Sequence, residues 1–239
     1  MWSSGRFERL TVESDLPVPI EIRPVRGARR LRLRYDDARG VLRLTCPART
    51  SRKTALAWAF DQREWIEQQL ANVLPAEPFV PGAVIPIEGE DTRLSWSGDL
   101  SRRPIHIAGQ LRCGGPIAGF ERRIAAFLKS RALERMSAEV AEFASVAGVA
   151  PSSVSVGDAL SRWGSCSSEG RIRLSWRLIL APASARRFVV AHEVAHLVHL
   201  NHGPNFKSLE ARLYGPGLSE AKAALRRLGP RLRRFGRRS

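Results

Sequence analysis

Lysine is scarce in this chain of 239 residues: only Lys53, Lys129, Lys207 and Lys222 carry it, so nearly all the positive charge is arginine. Cysteine is scarcer still. Cys46, Cys113 and Cys166 are odd in number, widely spaced and form no CxxC pair. That argues against a disulfide framework and predicts a reducing, cytoplasmic compartment. No apolar run approaches the roughly 18–20 residues that a membrane-spanning helix needs. The opening MWSSGRFERL lacks the apolar centre of a signal peptide, so export is not expected. Acids are also in deficit: 23 Asp and Glu face 39 Lys and Arg, a net charge of +16. Codon bias can favour Arg over Lys, but it does not explain the missing acids. The excess surpasses the magnitude of about 2–8 usual for a small domain. It predicts attraction to something anionic, whether nucleic acid, acidic protein or a lipid surface. With 44% hydrophobic and 26% charged residues, the chain is otherwise of globular composition and can bury a core.

Patterning divides the chain near residue 115. Residues 6–46 read as strands. Leu31, Leu33 and Tyr35 alternate with Arg30, Arg32 and Arg34, and Val41, Leu42 and Leu44 follow the turn DDARG, which predicts a β-hairpin. Its arginine row reads either as a solvated sheet face or as a phosphate-binding one. A helix is expected over about 51–74, capped by Ser51 or Thr54, and PAEPFVPG then reads as a linker. Short strand-like pieces follow to about 115, giving a β-rich N-terminal region with one helix. From Pro116 the period changes. Ile117, Phe120, Ile124, Phe127, Leu128 and their successors predict one long or two consecutive amphipathic helices ending near Gly148. Strand-like SVSVGD and RIRLSW come next, and helices are expected over about 183–200, from Pro204, and over about 218–228. Residues 229–239 read as a basic arm carrying Arg231, Arg233, Arg234, Arg237 and Arg238.

Four of the five histidines lie between positions 192 and 202. In VVAHEVAHLVHLNHGPNF, His192 and His196 stand one helical turn apart on one face, close enough to grip a single metal ion. Glu193 sits where a general base must sit to take a proton from a water polarised by that metal. A catalytic zinc usually takes three protein ligands and leaves one position open. His202 is the candidate third ligand, because Asn201 and Gly203 allow a sharp return of the chain after Leu200. His199 reads as a neighbour of the site, with direct ligation as the alternative. A purely structural histidine cluster or structural zinc would leave Glu193 without a task. Arg162, Arg177 and Tyr214 are candidates for steadying a tetrahedral oxyanion.

A second cluster is SRWGSCSSEGRIRLSWRLILAP. Trp163 and Trp176 read as core packing around a hairpin, or as part of a strand that pairs with an extended substrate peptide. Cys166 reads as a buried inert thiol or as a neighbour of the metal.

RWGSCSSEGRIRLSWRLILAP followed by VVAHEVAHLVHLNHGPNF resembles the YgjP-like zinc metallopeptidases, relatives of the SprT and WLM proteases. RRLRLRYDDARGVLRLTCPART and FVPGAVIPIEGE extend the likeness over most of residues 20–228. The resemblance implies an α+β, zincin-like metallopeptidase domain behind a small β-rich N-terminal region. It matches His192, His196 and His202 to ligands of one Zn²⁺ per chain and Glu193 to the catalytic glutamate. Two positions depart from the pattern: Ser175 stands for the usual Asn before Trp176, and Gly203 for the usual Ser after His202. If that Asn holds substrate, binding at Ser175 is altered. Arg162, Trp163, Ser175, Arg177 and Tyr214 are the expected substrate contacts.

The expected function is therefore a zinc metallopeptidase acting on protein or peptide. SprT-type relatives cleave proteins crosslinked to DNA, and the charge of +16 suits sequence-independent DNA or RNA binding. Two alternatives stay open: a UTP pyrophosphohydrolase, a label some family members carry, and a nucleic-acid-binding protein with a structural zinc. Phosphohydrolases commonly use Mg²⁺ held by carboxylates, and the sequence shows no acidic cluster of that kind.

Overall fold

Alternating apolar residues build the first sheet. β1 (Glu8–Leu10), β2 (Ile20–Val25), β3 (Arg32–Asp36) and β4 (Val41–Pro47) hydrogen-bond in the order β1-β2-β4-β3. β3 and β4 form the expected antiparallel hairpin, pairing Leu33 with Leu44 and Tyr35 with Leu42. Arg30, Arg32 and Arg34 are exposed, while Leu31, Leu33 and Tyr35 are half-buried against the core, as a period of two requires. β2 runs parallel to β4 on its other edge and buries Ile20 and Ile22 beside Leu42 and Leu44.

The computed structural model describes residues 8–10, 16–36, 39–71, 74–159 and 162–237. The chain divides into two compact units, Met1–Leu74 and Pro75–Ser239. In the first, the expected single helix over about 51–74 is two: α1 (Arg52–Asp61) and α2 (Arg63–Ala71). Gln62 separates them at φ −91° and ψ 15°. Ala59 and Ile66 are buried on either side, with Phe60 and Trp65 packed on the same core, while Asp61, Arg63 and Glu64 at the break itself are exposed. Ser51 is the cap, its Oγ accepting from the Thr54 N–H at 3.1 Å.

The second unit begins with β5 (Val84–Ile87), β6 (Glu90–Trp96), β7 (Ile105–Ile107) and β8 (Gln110–Cys113), ordered β5-β6-β8-β7. The sequence reading placed these strands with the N-terminal region, up to residue 115. In the structure, Ile85, Ile87, Leu94 and Leu111 share one core with Ile124, Leu128 and Met136 of α3 (Phe120–Ala147). A sheet must cover its apolar face, and the helices from 116 onward cover this one. The division therefore falls at 74 rather than 115. α3 is a single helix of 28 residues, closed by Gly148 in the left-handed region at φ 70°.

β9 (Ser153–Gly157), β10 (Gly164–Cys166) and β11 (Arg171–Ser175) form a third sheet, ordered β10-β11-β9. β10 is its edge strand, antiparallel to β11. A buried 3₁₀ turn, Trp176–Leu180, leads into α4 (Ala183–Ala195), followed by α5 (Pro204–Tyr214) and α6 (Leu218–Leu232). The fold class is α+β, as expected.

α4 is buried on nearly every side, as its apolar run dictates. Its one buried cation, Arg186, meets Glu139 of α3 with Nη2 at 2.8 Å and Nε at 3.0 and 3.2 Å, and Glu88 at 3.5 Å. That ion pair fixes α4 on α3.

Two endings differ from expectation. α4 stops at Ala195 rather than near 200: past it Leu197 still packs on the core, but Val198 and Leu200 face solvent. The C-terminal segment is not a free arm within the described residues. α6 continues through Pro230 to Leu232, and Leu232 and Phe235 are buried. Arg231 pairs with Glu77 at 2.8 and 3.0 Å, and Arg233 lies 4.5 Å over the Trp163 ring. Residues 238–239 lie outside the described ones. No helix among the described residues is long and apolar enough to cross a membrane.

Candidate metal centre

The last turn of α4 carries His192, His196 follows as the helix's C-cap residue, and the loop between α4 and α5 carries His202 back to them. Asn201 shapes that return by accepting the Gly203 N–H at 3.1 Å through its side-chain Oδ1. Pro204 then opens α5 at a position where its missing N–H costs nothing.

The three histidines converge. One ligating atom from each of His192, His196 and His202 lies within 4.8 Å of the others. The His192 and His202 Nε2 atoms are 3.3 Å apart. Their ring centroids are separated by 4.9, 5.2 and 4.7 Å. Two rings are fixed through their far nitrogens. His192 Nδ1–H donates to Glu210 Oε1 at 2.6 Å, and His196 Nδ1–H donates to the His199 carbonyl at 3.0 Å. Each bond sets the tautomer that leaves Nε2 with its lone pair. Burial holds the His196 imidazole below its usual pKa. The His199 carbonyl opposes this, and the neighbouring imidazoles His192 and His202 add to it. A neutral ring is the one that ligates a metal.

Phe206 underlies the group. It is buried, with its ring 5.0, 4.6 and 4.8 Å from those of His192, His196 and His202. Phe206 and Glu210 are i and i+4 on α5, so one helix face supplies both the apolar floor and the carboxylate. The sequence reading gave neither a role. An acid at helical spacing from a motif phenylalanine was the signal available. His199 serves through its carbonyl, in keeping with its reading as a neighbour of the site.

Glu193 is 5% exposed, yet its carboxylate forms no hydrogen bond or ion pair among the described residues. Burial pushes its pKa up to about 7, with the Arg162 guanidinium pulling the other way. The carboxylate rests against β10. A Cβ built on Gly164 would lie 2.6 Å from Glu193 Cγ and 2.7 Å from its Cδ, so only glycine leaves the space. This is the physical role of the glycine in Arg162-Trp163-Gly164.

The other expected contacts divide. Arg162, Trp163 and Ser175 line one cavity beside Gly164. Arg177 does not join them. It is buried, holds Asp158 at 2.8 and 3.3 Å, and donates to the carbonyls of Leu232 and Phe235. Its polarity is used to anchor the C-terminal segment. Tyr214 also points elsewhere: its hydroxyl donates to the Ser184 carbonyl at 3.2 Å, near the start of α4 and about 12 Å along the axis from His192. Trp176 is core, and Trp163 packs against Gly229 and Arg233 on one side. The Cys166 thiol is half-buried, and burial together with the Glu193 charge pushes its pKa up. Among the described residues the only metal-competent group is the histidine triad.

A family model described as "YgjP-like, metallopeptidase domain" matches residues 29–228. No match is found among curated proteins or among solved structures. The chain belongs to the YgjP-like metallopeptidase family, and that membership implies a metal, typically zinc.

Proposed function

We propose that this YgjP-like protein is a zinc-dependent peptidase in which His192, His196 and His202 hold the metal and Glu193 moves the proton. The observation that carries the reading is the convergence of three imidazoles beside a buried carboxylate that has no partner among the described residues. The donor set fits zinc: three imidazole nitrogens, two of the rings fixed from behind, which leaves a fourth position for water or substrate. Zinc held there would act as a Lewis acid, polarising the scissile carbonyl and acidifying a water. Glu193 accepts the proton of the attacking water and returns it to the leaving nitrogen. Gly164 keeps the carboxylate in place, and burial keeps it basic enough to take a proton near neutral pH. The edge strand β10 offers backbone groups to an extended peptide.

The test is hydrolysis of a mixed peptide library by the zinc-loaded protein and by its Glu193→Gln variant. Cleavage in the first that falls at least about a hundredfold in the second supports the reading. Equal cleavage by both counts against it.

A second property, binding to nucleic acid, is favoured by the charge of +16 and by the exposed row Arg30, Arg32 and Arg34. Sequence-independent phosphate contacts predict DNA affinity that drops steeply between low and physiological salt. Retention that ignores salt, or no binding at low salt, removes this part.

A further inference from the structure

We infer that the cavity beside Gly164 is a subsite for a carboxylate of the substrate, gripped by Arg162 and Arg173. The inference rests on the peptidase reading for its setting, but it stands on different residues.

The cavity has a volume of about 200 Å³, and Arg162, Trp163, Gly164, Arg173, Leu174 and Ser175 line it together with Asp158. That is below the roughly 300–1,000 Å³ of pockets for drug-sized ligands. It admits one side chain or one chain end. Its place is set by Gly164, which lines the cavity and also carries the Glu193 carboxylate against its Cα. A group seated here lies one strand's thickness from the proposed proton acceptor.

Local register explains the cationic wall. Along β11 the even positions Ile172 and Leu174 enter the core, so Arg173 and Ser175 share the opposite face. Ser175 stands opposite Gly157 on β9, and the Arg173 guanidinium lies over that glycine. A Cβ on Gly157 would be 2.6 Å from Arg173 Nη2. The Ser175 N–H donates to the Trp163 carbonyl at 2.7 Å, which holds the Arg162-Trp163 segment beside β11.

The charges are only partly answered internally: Arg162 acts on the Glu193 carboxylate at longer range, without an ion pair. Neither Arg162 nor Arg173 forms an ion pair among the described residues. The one acid in the wall, Asp158, is engaged by Arg177 at 2.8 and 3.3 Å. Ser175 adds a second sign of an absent ligand. It is 2% exposed, and its Oγ has no hydrogen-bond partner. A buried hydroxyl left unmet is costly unless something in the cavity answers it. Two guanidinium forks and a hydroxyl around a small space match a carboxylate, which accepts paired N–H bonds. The carboxylate comes either from an aspartate or glutamate side chain or from the C-terminus of a peptide.

The test separates these sources and does not depend on turnover. Zinc-loaded Glu193→Gln protein, labelled with ¹⁵N, is titrated by NMR with three probes. These are N-acetylglutamate N-methylamide (side-chain carboxylate), N-acetylalanine (terminal carboxylate) and N-acetylglutamine N-methylamide (neutral). At least one carboxylate probe is expected to shift the Gly164 and Ser175 amides saturably, about tenfold more tightly than the neutral one. That preference is expected to vanish in Arg162→Gln and Arg173→Gln, each checked for its native spectrum. Equal binding of acid and amide would overturn the subsite. So would a preference that survives both substitutions, which would place the carboxylate on the metal. Carboxylate binding without hydrolysis of any peptide by the wild-type protein would strike the peptidase reading and leave the subsite in place.

Discussion

Glu139 and Glu193 are both buried carboxylates on the same helical core, at 5% exposure each. Glu139 meets Arg186 of α4 through three contacts between 2.8 and 3.2 Å. Glu193, at the other end of α4, meets the bare Cα of Gly164 and no cation among the described residues. The first arrangement pairs the carboxylate with a cation and locks two helices together. The second buries a carboxylate unpaired and raises its pKa to about 7. An unpaired buried acid costs stability that evolution rarely tolerates without a use. On one helical core, the paired carboxylate of α3 is scaffold, and the unpaired one of α4 is the group assigned to the proposed chemistry.

Substitutions can break this comparison from either side. The largest effect is expected from Glu193→Gln. It should lower peptide turnover by about 10²–10⁴-fold with zinc content and melting temperature retained. A variant with unaltered turnover would place Glu193 among the scaffold residues. Glu139→Gln should do the converse, leaving Arg186 charged and buried at a cost of about 3–5 kcal/mol in unfolding free energy. Urea denaturation measures it, and a change below about 1 kcal/mol would show that the pair is dispensable.

Gly164→Ala sharpens the contrast, because it moves the Glu193 carboxylate without changing its chemistry. A displacement near 1 Å is expected to cost about a hundredfold in kcat while zinc binding persists. Gly164→Ala at full activity would mean that the carboxylate need not lie where β10 holds it. The mildest effect is expected from Glu210→Gln, which loosens His192. Zinc affinity should weaken about 10–100-fold, read by competition with a chelator. No weakening would show that His192 is oriented by something other than Glu210.

The parts legible in the sequence are those whose physics is local. His192, Glu193 and His196 follow from one turn of helix, and His202 from a short turn marked by Asn201 and Gly203. The hairpin of β3 and β4 follows from strict alternation with arginine. The parts that escaped depend on distant partners. Arg177 and Tyr214 are expected as oxyanion or substrate contacts, a donor that the motif itself does not identify. Polarity does not reveal direction, and Arg177 turns inward to Asp158 and the C-terminal carbonyls. The same contacts explain why the segment after 228 packs down instead of extending as an arm. Glu210 has only a faint local signal, its helical spacing from Phe206, because its partner His192 is 18 residues away. The boundary at 115 failed for a related reason: β5–β8 alternate like the earlier strands, and only α3 reveals which core they join.

The most direct test of the central claim is the zinc content of the purified protein, measured by mass spectrometry beside His202→Ala. The account predicts about one zinc per chain in the wild type and a sharp fall in the variant, with both proteins folded. A folded wild-type protein that takes up no zinc on reconstitution, or a His202→Ala variant that retains it in full, would contradict the three-histidine centre.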